Sequence, residues 1–164
     1  MRDDLLTLSQ HLGELLKAKN LKLALAESCT GGLAAEYITA VAGSSAWFDC
    51  GFITYSNSSK TKMLGVSTTS LDNYGAVSET VANEMATGAL THSQADISAS
   101  ITGIAGPDGG SEEKPVGTVC FAWAQKQDGQ IKATTATTLF QGDRQAIRHQ
   151  AVSYLMANLI KKLA

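Results

Sequence analysis

Residues 21–32 read LKLALAESCTGG and decide the fold, because an apolar run ends there in a polar, glycine-rich turn. The run over residues 21–26 is typical of a short, buried parallel strand. Beyond the turn, apolar side chains recur at the three- and four-residue steps of one helix face: Leu33, Tyr37, Ile38 and Val41. We therefore predict a strand, a turn, and a helix that begins near Thr30 or Gly31 and ends near Ala42.

The turn sets two adjacent nucleophiles, Ser28 and Cys29, directly after the carboxylate of Glu27. A helix that begins just beyond them would direct unpaired N–H groups toward an anion at this place. The alternative is an ordinary helix cap, in which Ser28 or Thr30 bonds the first helical turn and Cys29 is a small buried residue. The turn by itself leaves both interpretations open.

The rest of the chain alternates between helix and strand patterns. Leucines on one face predict an opening helix over residues 3–19 that packs on a sheet. Further strands are predicted at residues 47–55, 96–102, 116–124 and 131–140, the last two joined by a hairpin turn at Asp128-Gly129. Further helices are predicted at residues 56–62, from Ser78 to about residue 94, and after Gly142-Asp143. This order predicts the α/β class, with helices on both sides of a mixed sheet.

Composition and charge exclude several classes of protein. With 44% hydrophobic and 17% charged residues, the 164-residue chain fits one globular domain over residues 1–164. A net charge of -2 offers no basic surface for nucleic acid. The acidic start at Met1 and the lack of a long apolar run predict neither a signal peptide nor a membrane span. We therefore expect a cytoplasmic protein, with Cys29, Cys50 and Cys120 as reduced thiols.

A long loop follows the strand predicted at residues 96–102 and contains four glycines: Gly103, Gly106, Gly109 and Gly110. Glycines allow successive N–H groups to converge on phosphate or carbonyl oxygens. The spacing matches neither a Walker loop nor the dinucleotide fingerprint. The loop therefore indicates a binding site of another kind, with a flexible crossover as the alternative.

Cationic side chains near these loops have two interpretations each. Lys60 could accept a proton from Ser28 if burial or positive neighbours lower its pKa, but composition alone describes a solvated surface lysine. Arg144 and Arg148 share a helix face and could clamp a phosphate, or they could be a surface pair behind an Asp143 cap. The three histidines are remote from both glycine loops in sequence, which disfavours a histidine triad and favours a serine with a lysine base.

Several motifs, in their order along the chain, resemble the CinA C-terminal family, and the resemblance covers nearly the whole sequence. They are Ala26-Glu27-Ser28-Cys29-Thr30-Gly31-Gly32, the segment from Tyr55 to Lys60, Gly75-Ala76-Val77-Ser78, Thr102-Gly103-Ile104-Ala105-Gly106-Pro107 through Lys114-Pro115-Val116-Gly117-Thr118, and Gly142-Asp143-Arg144. The resemblance implies a single-domain three-layer α/β/α sandwich around a mixed, mostly parallel sheet, usually assembled as a homodimer.

The family also implies an activity, which is hydrolysis of the carboxamide of nicotinamide mononucleotide to nicotinate mononucleotide and ammonia in pyridine nucleotide recycling. The implied partner is this small molecule, with neither nucleic acid nor a membrane. No metal or other cofactor is needed for the implied reaction.

Within the implied reaction, Ser28 attacks the amide carbon, and Lys60, assisted by Tyr55, takes its proton and later protonates the departing ammonia. Cys29 is the alternative nucleophile, because a thiolate is intrinsically more reactive. Backbone N–H groups near residues 30–32 hold the oxyanion. The residues expected to bind the substrate and its phosphate are Glu27, Thr30, Gly31, Gly32, Ser78, Thr102, Gly103, Gly106 and Arg144.

Two other functions remain open from the sequence. A non-catalytic nucleotide-binding or regulatory module would use the glycine loops only to hold phosphate. A phosphohydrolase would need a metal-binding carboxylate cluster, for which Asp108, Glu112 and Glu113 are the candidates.

Overall fold

A computed structural model describes residues 2–164, so Met1 of the acidic start lies outside the described residues. The strands are β1 (Leu23–Glu27), β2 (Phe48–Ile53), β3 (Ile97–Gly103), β4 (Thr118–Gln127) and β5 (Gln130–Leu139). The helices are α1 (Arg2–Ala18), α2 (Leu33–Thr39), α3 (Asn57–Leu64), α4 (Thr68–Tyr74), α5 (Glu79–Thr91) and α6 (Arg144–Leu163). A short 3₁₀ turn covers Ser44–Ala46.

The five strands form one mixed sheet in the order β2-β1-β3-β4-β5. Strands β2, β1 and β3 are parallel, whereas β4 is antiparallel to both of its neighbours. Four of the five strands therefore run in one direction. The register pairs Glu27 with Ile53 and with Ile101, so the carboxyl ends of the three parallel strands meet at one edge. In open sheets of this kind, ligands bind at that edge.

Helices cover both faces of the sheet and bury an apolar layer on each. On one face, α1, α2 and α6 pack around a cluster that includes Leu5, Ile38 and Leu155. On the other face, α5 lies across the sheet through Val81 and Met85, with Leu64 of α3 beside them. The structure is thus a three-layer α/β/α sandwich, which confirms the predicted fold class.

Some element boundaries differ from the sequence predictions. Helix α2 begins at Leu33 rather than near Thr30, because Gly31 and Gly32 have φ of 56° and 103° and continue the turn. It also ends earlier, at Thr39. Helix α1 contacts α6 and α2, and its Leu5, Leu12 and Leu16 share one buried cluster with residues of the sheet.

Helix α4 was absent from the sequence prediction because none of its seven residues is buried, so it carries no apolar periodicity. Its available signal was Ser67, whose hydroxyl caps the helix by accepting from the N–H of Ser70. By contrast, the hairpin turn at Asp128-Gly129 is confirmed, with φ of 52° and 75°. Within residues 2–164, no helix has both the length and the apolar character needed to cross a membrane.

Candidate active site

A cleft of about 260 Å³ opens at the edge where the parallel strands end. It is lined by residues from five parts of the chain: Ser28 and Cys29 after β1; Tyr55, Asn57 and Lys60 after β2; Ala76 and Val77 before α5; most of residues 102–109 at the end of β3 and beyond it; and Arg144 at the start of α6. The serine turn and the glycine loop therefore line one and the same cleft.

Lys60 is buried beneath the cleft rather than solvated, with 1% of its surface exposed. Helix α3 begins after Ser56, whose hydroxyl accepts from the N–H of Ser59, and it turns Lys60 back toward β1. The Nζ atom lies 2.9 Å from Ser28 Oγ, 2.8 Å from the carbonyl oxygen of Thr54 and 3.2 Å from that of Tyr55. The lysine thus reaches the serine in the folded chain.

Burial lowers the pKa of Lys60 from its ordinary value, because the charged ammonium loses the solvation of bulk water. Its contacts with Thr54 and Tyr55 are both carbonyl oxygens, which can only accept. Such acceptors can bond the ammonium as well as the amine, so it is the loss of solvation, and not these contacts, that lowers the pKa of Lys60.

Cys29 is buried as well, and its carbonyl oxygen faces Arg148. Burial raises the pKa of the Cys29 thiol to about 11, although the backbone and Arg148 act in the opposite direction. At neutral pH this thiol keeps its proton and is a poor nucleophile. The two adjacent candidates therefore differ in environment, since Ser28 Oγ lies 2.9 Å from Lys60 Nζ whereas the Cys29 thiol is buried.

The carboxylate of Glu27 is buried and turned toward helix α2. Its oxygens accept from the N–H groups of Ala34 and Ala35, at 3.0 and 3.1 Å, and from the hydroxyl of Thr30 at 2.7 Å. The anion at this helix end is therefore the protein's own carboxylate. The side chains of Glu27 and Thr30 bond each other and the start of α2, and neither residue is among those that line the cleft.

The two glycines of the turn have different local roles. The N–H of Gly31 donates to the carbonyl oxygen of Ser28 at 3.0 Å and so closes the turn. Gly32 caps α2 in the left-handed region, and a Cβ there would lie 3.0 Å from Ile53 Cδ1. Both positions require the backbone freedom of glycine.

Thr102 and Ser78 form hydrogen bonds with the segment that contributes Ala76 and Val77 to the cleft. The buried hydroxyl of Thr102 donates to the carbonyl oxygen of Ala76 at 2.8 Å, and Thr102 lines the cleft. Ser78 caps α5 by accepting from the N–H of Val81 at 3.2 Å, and its hydroxyl donates to Gly75. Ser78 lies next to the lining residue Val77 rather than in the lining itself.

Gly103 and Gly106 line the cleft where the glycine loop packs against the following segment. A Cβ on Gly103 would lie 2.7 Å from Val119 Cγ2, and one on Gly106 would collide with Val116 Cγ1. Close packing at these two positions therefore excludes larger residues.

Arg144 spans the mouth of the cleft from α6. Its guanidinium donates to the carbonyl oxygen of Gly106 at 2.7 Å and to the phenol oxygen of Tyr55 at 3.2 Å. Tyr55 is 63% exposed, and its hydroxyl faces Arg144, whereas its carbonyl faces Lys60. Arg148 points toward the serine turn instead, so the two arginines do not form one phosphate clamp. Asp143 caps α6, because its carboxylate accepts from the N–H of Ala146.

Sequence reasoning missed two contributions to the site. The carbonyl oxygen of Thr54 is a partner of Lys60, but a backbone group leaves no signal in the residue types. Asn57 also lines the cleft, but it is one of four polar residues between Tyr55 and Lys60, so polarity alone does not single it out. Of the described residues that line the cleft, none is a histidine.

The acidic side chains of the glycine loop do not assemble into a metal-binding group. In the described part of the chain, no three His, Cys, Asp or Glu side chains are placed to hold one ion. Asp108 lines the cleft singly.

Comparison with known proteins gives consistent matches. The family model of the CinA C-terminal domain matches residues 5–163. A nicotinamide-nucleotide amidohydrolase, PncC, from Enterobacter agglomerans is 54% identical over 94% of this chain and 93% of its own length. The protein of the same name from Escherichia coli K12 is 53% identical over 95% of this chain and 93% of its own length. A crystal structure of a CinA superfamily protein from Klebsiella pneumoniae superposes with a TM-score of 0.90 at 42% identity and covers 97% of both chains.

Proposed function

The chain belongs to the CinA C-terminal domain family, and from this premise we propose that it is an amidohydrolase that converts nicotinamide mononucleotide to nicotinate mononucleotide and ammonia. Relatives that match over nearly their whole length carry the name nicotinamide-nucleotide amidohydrolase. The cleft supports the proposal because it contains a nucleophile, a base and a cation in one place.

The observation that carries the proposal is the geometry of Lys60 around Ser28. A neutral amine has two N–H groups and one lone pair. The carbonyl oxygens of Thr54 and Tyr55 occupy the two N–H groups, because they can only accept. The lone pair is then left for the hydroxyl of Ser28, 2.9 Å away. Neutral Lys60 is therefore oriented as a general base.

The proposed reaction has two halves. Ser28 Oγ attacks the carboxamide carbon while its proton moves to Lys60 Nζ, and Lys60 then gives this proton to the departing ammonia as the carbon–nitrogen bond breaks. Water next attacks the Ser28 ester with Lys60 again as base, which releases nicotinate mononucleotide and restores the serine. Lysine thus performs the proton transfers that histidine performs in other serine hydrolases.

The oxyanion of each tetrahedral intermediate needs N–H donors at the serine turn. The N–H of Gly31 is already used by the carbonyl of Ser28. We assign the role to the N–H of Thr30, because the carbonyl of the same peptide group points at Arg148 and a trans peptide directs its N–H the opposite way.

The substrate phosphate is assigned to Arg144 and to N–H groups of the loop from Gly103 to Gly109. Arg144 lies at the mouth of the cleft, and a guanidinium can bind a phosphate through two parallel hydrogen bonds. Tyr55 acts from the same place, because its phenol oxygen accepts from Arg144. Thr102 holds the segment at Ala76 that forms the opposite wall.

The test is ammonia release from nicotinamide mononucleotide by the purified chain. We expect stoichiometric ammonia and nicotinate mononucleotide from the wild type and from Ser45→Ala, an exposed and remote control. Ser28→Ala should lose nearly all turnover. Binding of the nucleotide without ammonia would instead indicate a non-catalytic module, and the absence of both would refute the proposed substrate.

We also propose that the chain acts as a single-domain homodimer in the cytoplasm. Light scattering on the purified protein should give twice the chain mass of 17.2 kDa. A mass equal to one chain would contradict the dimer.

A further inference from the structure

Arg148 contacts the main chain immediately after the nucleophile. Its Nε donates to the carbonyl oxygen of Cys29 at 3.1 Å, and one terminal nitrogen donates to that of Thr30 at 2.9 Å. The side chain comes from α6, which is anchored in the core by the neighbouring buried residues Ile147 and Ala151. A rigid helix therefore carries the guanidinium that holds the turn.

These contacts continue to Ser28 through a single peptide group. The carbonyl of Thr30 accepts from Arg148, and the N–H of the same peptide, which belongs to Gly31, donates to the carbonyl of Ser28 at 3.0 Å. Hydrogen bonds in such a chain polarise one another. On its other side, Ser28 donates its N–H to the carbonyl of Ile101 at 3.0 Å. The backbone of Ser28 is thus fixed between the sheet and Arg148.

Arg148 differs from Arg144 in its position, because Arg144 lines the cleft and Arg148 is not among the described residues that do. Its guanidinium instead contacts the carbonyl oxygens of Cys29 and Thr30. Any effect it has on the reaction must pass through the turn that it holds.

We propose that Arg148 is a positioning residue for Ser28, which fixes the peptide groups at residues 29–31 so that Ser28 Oγ faces Lys60 and the Thr30 N–H faces the oxyanion. The inference rests on the proposed function for its chemistry. A lysine cannot replace this arginine fully, because an ammonium is a point charge without the planar fork that reaches two carbonyl oxygens.

The first test compares Arg148→Ala and Arg148→Lys with Gln150→Ala, which removes hydrogen bonds of the same helix away from the cleft. With nicotinamide mononucleotide, kcat of Arg148→Ala should fall on the order of 100-fold, because a small misplacement of reacting groups has this effect. KM should stay within about threefold, since binding in the cleft is untouched. Arg148→Lys should be intermediate and Gln150→Ala normal.

Added guanidinium ion should restore part of the kcat of Arg148→Ala, because it can occupy the vacated space between the two carbonyls, and it should not affect Gln150→Ala. An unchanged kcat, or a rise in KM with kcat unchanged, would overturn the positioning role. If Arg148→Ala fails to fold, Arg148→Lys decides the question. A normal kcat for Arg148→Lys would overturn the positioning role, and a reduced kcat with unchanged KM would support it.

A second measurement separates this inference from the proposed substrate. A fluorophosphonate probe reacts with an activated serine: the bond from Ser28 Oγ to phosphorus forms, fluoride leaves, and the proton moves to Lys60. Labelling of Ser28 should be at least about tenfold slower in Arg148→Ala than in the wild type. Slower labelling in a protein that releases no ammonia would support the positioning role while refuting the proposed substrate. Equal labelling rates would overturn the positioning role itself.

Discussion

At the residue scale, burial acts in opposite directions on the chemistry of Lys60 and Cys29. Burial lowers the pKa of the lysine and so favours the neutral amine that a base requires. The same loss of solvation raises the pKa of the Cys29 thiol to about 11 and keeps its proton in place. The same physical cause therefore shifts both groups toward their neutral forms, which favours the proposed role of Lys60 as a base and disfavours Cys29 as a nucleophile.

The choice between Ser28 and Cys29 can be tested by separate alanine substitutions. Cys29→Ala should keep kcat within about threefold of the wild type, because its thiol is protonated at neutral pH. Ser28→Ala should be inactive in the same ammonia assay. Nearly full turnover by Ser28→Ala together with an inactive Cys29→Ala would show that the thiol is the nucleophile.

The pH dependence of kcat/KM reports on the base. Only neutral Lys60 can take the proton of Ser28, so kcat/KM should rise with pH through the pKa of Lys60. Because burial lowers that pKa, the rise should occur below the range of an ordinary lysine. Lys60→Met should lose about 100-fold or more in rate. Lys62→Met, an exposed control on the same helix, should keep the wild-type profile; a profile without a rise with pH would argue against a lysine base.

At the scale of elements, the start of α2 binds a different anion from the one that the sequence predicts. A helix N-terminus stabilises an anion, and the sequence predicted that this anion would be a ligand beside Ser28. In the structure Glu27, six residues before the helix, supplies the anion itself and accepts from Ala34 and Ala35. The helix end therefore fixes the serine turn in place.

Glu27→Gln should destabilise the fold by about 1–3 kcal/mol, because an amide group has one acceptor oxygen where three donors converge on two. Chemical denaturation of the variant and the wild type measures this difference. Glu36→Gln, an exposed change on the same helix, should stay within about 0.5 kcal/mol. Equal stabilities for Glu27→Gln and Glu36→Gln would mean that the buried carboxylate does not stabilise the turn.

At the scale of the whole molecule, the cleft exists only because distant segments meet at one edge of the sheet. The serine turn, the start of α3 and the glycine loop follow three neighbouring parallel strands. Helix α6 then adds Arg144 from the far end of the chain, and its contacts with Gly106 and Tyr55 join two walls of the cleft.

Arg144→Met should raise KM for nicotinamide mononucleotide about tenfold or more, since a charge-assisted hydrogen bond contributes roughly 1.5–3 kcal/mol. The corresponding riboside, which lacks the phosphate, should show a much smaller change. This comparison separates phosphate binding from the structural contacts of Arg144, because a purely structural loss would affect both substrates equally. Lys161→Met, at the other end of α6, should change neither KM.

The sequence by itself determined the order of the five strands and of the helices other than α4, the sandwich class and the family. Apolar periodicity is a local property, and the motifs are continuous stretches such as residues 26–32, so both can be read without a fold. The same reasoning located the hairpin turn at Asp128-Gly129 and the caps at Ser78 and Asp143. It failed for α4, which has no buried residue and so no periodic apolar pattern.

Only the tertiary structure decided how the opening turn is arranged as a site. Composition alone describes Lys60 as a solvated side chain, whereas in the structure it is buried and contacts Ser28, 32 positions away. The role of Arg148 depends on a contact with Cys29 across 119 positions. Distances, burial and pKa shifts arise from residues that are remote in sequence, and folding is what brings them together.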